Sequence, residues 1–178
     1  MSSAQYKAIA NSDRNLSIIA SKDKDLCMVP GLHLDWDTGR ITDSDTDFGY
    51  VKLVERVGSG GAKTKLLKGF GQKFFWAQML MGDTADYIQG ILKFNGKQCG
   101  PAGAYIALKD CKSIDEAANI VIDAYRVINQ NPLPEGYLLW MQRGHGDSVI
   151  QYFNEVGMSD ENRRFLYECY HRDWINTA

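Results

Sequence analysis

The run Leu16-Ser17-Ile18-Ile19-Ala20 places the strongest constraint on how this chain folds. It is short, apolar and continuous, the pattern of a strand buried on both faces. Such a strand needs other strands beside it and helices over it, because parallel sheets are built through crossovers. The sequence supplies few further strands. Leu32, Leu34 and Trp36 alternate with His33 and Asp35, which predicts one more. Asp37-Thr38-Gly39-Arg40 reads as a turn into a short return strand at Ile41. The expected class is α/β, with two or three strands in front and a helical region behind. A sheet that small is not stable alone.

The rest of the chain reads mostly as helix. Residues 2–10 are expected to form a short helix capped by Ser2 or Ser3, and residues 45–57 another. Gly58 to Gly61 is a glycine cluster, and residues 58–71 are expected to be a mobile loop. A helix over 72–82 presents Phe75, Trp76, Met79 and Leu80 on its apolar side, with Asp83 just past its end. Ser113-Ile114-Asp115-Glu116 is a capping box, followed by Ile114, Ala118, Val121, Tyr125 and Ile128 at helical spacing. Asn131, Pro132 and Pro134 stop that helix. Further helices are expected over 137–143 and 147–156, and Ser159 caps a last one. The expected organisation is 1–57 as the end of an α/β core, 58–71 as a basic loop, and 72–178 as a helical region.

Composition narrows the function. With 178 residues, 44% hydrophobic and 24% charged, the chain has enough material for one globular domain. No apolar run is long enough to cross a membrane, and the first residues lack the pattern of a signal peptide. Cys27, Cys99, Cys111 and Cys169 show no zinc spacing and read as free thiols of a reducing, cytoplasmic compartment. Cys169 and His171 read as a buried thiol and an ordinary helix histidine rather than a ligand pair. A net charge of −2 argues against a general nucleic-acid coat. The charge is uneven, however. Asp35, Asp37, Asp43, Asp45 and Asp47 form an acidic stretch, and Lys63, Lys65, Lys68 and Lys73 a basic one.

Two pairs of carboxylates carry the chemistry. Asp23 and Asp25 leave the end of the first strand, where ligands of open α/β sheets collect. Read alone, they fit a polar turn with a helix cap somewhat better than a ligand pair. Asp83 and Asp86 follow a helix C-terminus, whose partial negative charge disfavours them by a few tenths to about 1 kcal/mol each unless a cation is near. Alternatively they cap a following short helix. Oxygen ligands of this kind suit Mg²⁺ or Mn²⁺.

The segment SIIASKDKDLCMVPG resembles the strand and acidic turn of the 5′ nuclease family of flap endonucleases and 5′→3′ exonucleases. In order, MLMGDTADYIQGI resembles that family's Gly-Asp-x-x-Asp motif, and QCGPAGAYIAL resembles the hairpin of its helix–three-turn–helix module. The resemblance covers roughly residues 14–110. It implies a PIN-like nuclease core with Asp23, Asp25, Asp83 and Asp86 as ligands of Mg²⁺ or Mn²⁺ in a two-metal hydrolysis of DNA phosphodiesters. It also implies DNA contacts at Lys97, Gly100, Ala102 and Gly103, with K⁺ at the hairpin, and a phage-type replication or recombination setting. Lys63, Lys65 and Lys68, in the glycine-flanked segment, read equally as further DNA phosphate contacts or as a solvated loop.

The sequence departs from the family in several places. Tyr87 stands for the usual Asn, Gln89 for Pro and Ala102 for Lys, and Leu92 to Gln98 lengthens the approach to the hairpin. The family's earlier Glu-x-Asp-Asp cluster has no counterpart, so the chain is expected to be the C-terminal portion of such a nuclease, weak or inactive alone. A second polypeptide would then supply the remaining carboxylates. The other readings are a non-catalytic protein that binds branched DNA or a replication partner, and an interfering fragment that pairs through a sheet edge. Val57 to Thr64 approaches a P-loop but has Ala62 where the pattern requires Gly. His145 reads as a turn residue rather than a general base, and Trp140, Tyr152, Phe153, Phe165 and Tyr167 as core.

Overall fold

The computed structural model describes residues 18–29, 31–44, 48–142 and 146–172. The expected helix over 2–10, the start of the first strand at Leu16, the acids Asp45 and Asp47, and His145 lie outside these.

Three strands form a first sheet in the order β1 (Ile18–Ala20), β2 (Gly31–Asp35), β3 (Arg40–Ser44). β1 runs parallel to β2, with Ile19 opposite His33, and the crossover between them holds only a 3-10 helix over Asp25–Met28. β2 and β3 form the expected hairpin, with Leu34 opposite Ile41. Its turn is fixed by the Asp35 carboxylate, which accepts from the N–H of Asp37 at 3.0 Å and of Thr38 at 3.3 Å. β1 is not buried on both faces as expected. Ile19 is buried, while Ile18 is 45% exposed. Ile19 instead joins Leu26 and Val29 of the crossover in a small cluster against Met141, so only one side of the strand is covered.

The segment expected as a helix over 45–57 is strand β4 (Tyr50–Val57), and the expected loop over 58–71 is largely strand β5 (Lys63–Phe70). They pair antiparallel from Tyr50 opposite Phe70 to Val57 opposite Lys63. The β-branched Val51, Val54 and Val57 favour extended backbone, and alternation then carries Val51 and Leu67 to the core face. Only Gly58 to Ala62 turns, closed by the Gly58 N–H to the Ala62 carbonyl at 2.9 Å.

Helix α1 (Gly71–Met81) is the centre of the molecule. Every residue from Gly71 to Leu80 is buried, not only the apolar stripe the spacing predicts. In a helix covered all round, the side-chain polar groups need partners on other elements, and most find them, Gln72 Oε1 and Gln78 Oε1 being the exceptions. The Trp76 indole N–H donates to the Tyr152 hydroxyl at 3.0 Å, and the Tyr125 hydroxyl donates to the Met79 carbonyl at 2.6 Å. Lys73 donates to the carbonyls of Lys109 at 3.1 Å and Cys111 at 2.8 Å. That ties α1 to the C-terminal end of the next helix, α2 (Pro101–Leu108). Phe75 meets Trp140, Tyr152 and Phe153 in an aromatic cluster.

Four helices complete the shell: α3 (Ile114–Val127), α4 (Leu133–Leu139), α5 (Val149–Glu155) and α6 (Asp160–His171). The Ser113 hydroxyl caps α3 by accepting from the Glu116 N–H at 3.2 Å, and Glu116 reaches back to the Lys112 N–H at 2.7 Å. Ser148 and Ser159 cap α5 and α6 in the same way. α4 starts earlier than the predicted 137–143, because the prolines that end α3 also suit a helix start: Pro134 lies in its first turn. Of the predicted core aromatics, Tyr152, Phe153 and Phe165 are buried, but Tyr167 is 67% exposed on the outer side of α6.

His33 joins the two sheets. Its ring packs edge-on to Phe70 at 5.2 Å and its Nε2 lies 2.8 Å from the Val29 carbonyl, which requires the Nε2–H tautomer. Burial pulls its pKa below the ordinary 6.5, outweighing the hydrogen bond to Val29 and the charge of Asp43. Because the folded value is the lower one, the unfolded chain takes up the proton first as pH falls. The His33 contribution to stability is therefore intact above 6.5 and lost as pH drops through the folded value. Urea midpoints measured across this range will fall more steeply with acidification for the native chain than for His33→Gln.

Candidate metal centre

The site begins in the crossover after β1. The Ser21 hydroxyl accepts from the Asp23 N–H at 3.1 Å, and the Asp23 carboxylate accepts from the Asp25 N–H at 3.0 Å. These two side-chain turns wind the chain into the 3-10 helix and drive Asp25 inward, where it is 8% exposed. Asp23 itself stays exposed.

The second half of the site follows α1. Gly82 ends the helix with φ of 69°, and a Cβ there would meet the Ile88 carbonyl oxygen at 2.3 Å. A Cβ on Gly90 would meet the Gly82 nitrogen at 2.4 Å. The two glycines thus allow the loop 82–90 to close on itself. Asp83 and Ile88 exchange backbone hydrogen bonds of 2.8 Å in each direction across the turn Thr84–Tyr87. This turn replaces the short helix that Asp83 and Asp86 were alternatively expected to cap. Asp83 is 5% exposed and accepts from the Ala85 N–H at 3.0 Å. Tyr87 takes φ of 58° and is 96% exposed. Left-handed backbone is tolerated by Asn and strained for Tyr by about 1–2 kcal/mol.

Asp25, Asp83 and Asp86 converge. One carboxylate oxygen of each lies within 4.8 Å of the others. Asp23, the fourth carboxylate singled out from the sequence, is not in this group and serves the backbone turn instead. Two residues that the sequence reading passed over complete the site. Gln78, fully buried on α1, donates from Nε2 to Asp25 at 2.8 Å and to Asp83 at 3.4 Å. The Lys24 ammonium pairs with Asp25 at 3.2 Å and also contacts Asp83. Burial opposes its charge, but the hydrogen bond to Asp83 and the charge of Asp25 outweigh it and raise the Lys24 pKa. The signals were present: Gln78 is a polar residue in an apolar helix one turn before Asp83, and Lys24 lies between two acids.

No protein-family model, curated protein or solved structure matches this chain.

The geometry therefore has to carry the chemistry. All three donors are carboxylate oxygens, a set that favours hard cations over zinc, whose typical ligands are nitrogen and sulfur. Near the site, burial pushes the Cys27 thiol up to a pKa of about 11, helped by the charges of Asp23 and Asp25.

The expected DNA-contacting residues stand elsewhere. Lys63, Lys65 and Lys68 are on β5, not on a loop. Lys97 closes a tight Asn95-Gly96 hairpin with Phe94, the extra length noted in the sequence. Gly100 is the N-cap of α2, with Ala102 and Gly103 in the first turn and no side chain capping it. None of these hydrogen-bonds or ion-pairs with the trio among the described residues.

Two consequences are measurable. Gly82→Ala forces a Cβ into backbone at a left-handed position and costs about 2–4 kcal/mol in denaturant unfolding. Lys24→Ala leaves Asp25 and Asp83 facing each other without a cation. It destabilises the chain in EDTA by roughly 1–2 kcal/mol, less than a fully buried pair because the ammonium is half exposed. The rise in melting temperature on adding Mn²⁺ then grows relative to the native chain, since the ion no longer displaces an ammonium.

Proposed function

We propose that this chain carries part of the active site of a metal-dependent 5′ nuclease acting on the phosphodiesters of branched or 5′-ended DNA. The observation that carries this reading is the meeting of Asp25 with Asp83 and Asp86. They come from two distant stretches of chain, the same two stretches on which the sequence resembles that family.

In this reading Asp25, Asp83 and Asp86 hold Mg²⁺ or Mn²⁺. A bound ion of this kind lowers the pKa of a coordinated water and offsets charge on the attacked phosphate. The chain's own residues prepare the place. Gln78 fixes the orientation of Asp25 and Asp83 from below. The Gly82–Gly90 contact holds the Asp83 loop shut. Lys24 keeps the two buried carboxylates together when no other cation is near. Three carboxylates leave positions for water, for substrate oxygens and for ligands from a further polypeptide.

A second reading is a DNA-binding protein of the same descent without the reaction. It is favoured by Lys24, whose ammonium already pairs with both buried acids. Cleavage of a 5′-flap substrate separates the two. On the nuclease reading, Mg²⁺-dependent cleavage is lost by a factor of 100 or more (about 3 kcal/mol of transition-state stabilisation) in Asp83→Asn, while flap binding in EDTA is retained. Binding without cleavage by the native chain, including in the presence of candidate partner polypeptides, would leave only the second.

A further inference from the structure

The two faces of the β4–β5 hairpin differ in charge, a difference hidden in the linear sequence. Val51 and Leu67 point to the core, and Glu55, Lys63 and Lys65 continue along that same side. There Glu55 lies opposite Lys65 and pairs with Lys63 at 3.7 Å. The outward side carries Lys52, Arg56 and Lys68, with Tyr50, Val54, Thr64, Leu66 and Phe70 between them. It holds three exposed cations and no carboxylate.

Lys52 and Lys68 are direct cross-strand partners. Like charges placed opposite each other destabilise a hairpin, and neither lysine ion-pairs with a carboxylate among the described residues. An anion lying across both would turn that repulsion into attraction. The face also has a direction. At its base, Phe70 packs on His33, and β5 packs against the 3-10 helix that holds Asp25.

We propose that the outward face of this hairpin, through Lys52, Lys68 and Arg56, binds the phosphate backbone of the nucleic acid and leads it toward the acidic trio, whereas Lys63 and Lys65 do not. This rests on the nuclease reading for its ligand. An acidic protein segment would match the charge too, but the aromatic Tyr50 and the nearby trio favour a polyanion that is also the substrate.

The test is the salt dependence of binding to a fluorescent 5′-flap DNA in EDTA, between about 50 and 200 mM KCl. Lys52→Ala/Lys68→Ala is expected to lower the slope of log affinity against log salt by about two. Lys63→Ala/Lys65→Ala is expected to change it by less than about one. The first variant is also expected to melt about 1–2 °C higher, because the cross-strand repulsion is gone. An unchanged slope in the first variant, or an equal loss in both, overturns the assignment of this face. So does displacement of the DNA by polyglutamate at matched charge. A native chain that does not bind the flap DNA at low salt overturns the nuclease reading as well. Flap binding with the expected slopes but no cleavage upholds the face and overturns only the reaction.

Discussion

A carboxylate buried just beyond a helix C-terminus is the constraint around which this molecule is arranged. Asp83 is 5% exposed and follows α1 directly. The helix end is already partially negative there, so an isolated charge would be costly. The chain answers with Lys24 and Gln78, and with the Ala85 N–H on the other oxygen. Each answer has a structural effect. Lys24 ties the crossover after β1 to the helical body. Gln78 brings α1 into contact with the 3-10 helix through Asp25. The small first sheet could not stand alone, and this polar network, together with Met141 and the His33–Phe70 contact, docks it.

The helical part was legible because its signals are local. Ser113 and Ser159 each cap the helix predicted to follow, and the spacing from Ile114 to Tyr125 gives the buried face of α3. The hairpin β4–β5 was not legible because its decisive partner is remote in sequence. Tyr50 to Val57 contains enough apolar residues to fit either period, and only pairing with Lys63 to Phe70 selects the extended form. The glycines at 58–61 then mark a tight turn and not the start of a long loop. β1 misled for a related reason: a continuous apolar run does not say how many sides will be covered.

The site was partly legible. Aspartates in two motifs were visible, and three of the four converge. Asp23 was indistinguishable from Asp25 in the sequence because both flank Lys24. What separates them is the side-chain turn, in which Asp23 spends its oxygen on the Asp25 N–H and so directs Asp25 inward. Gln78 stood out in the sequence only as a polar residue in an apolar helix; that it faces the acids follows from α1 being enclosed on every side.

Lys24 gives the site a property that its carboxylates alone would not have. Without it, two buried acids would face each other uncompensated. With it, an ion entering the site would compete with an ammonium whose charge the same acids stabilise. Any affinity of the trio for a cation would therefore be lower than three oxygens of this geometry would otherwise provide, by the free energy of the pairing that is given up. The displaced ammonium remains tethered one residue from Asp25, where a polyanion arriving along the hairpin would meet it. An anionic substrate that draws Lys24 away from Asp83 would raise the affinity of the site for its ion, and by linkage the ion would raise the affinity for the substrate to the same degree.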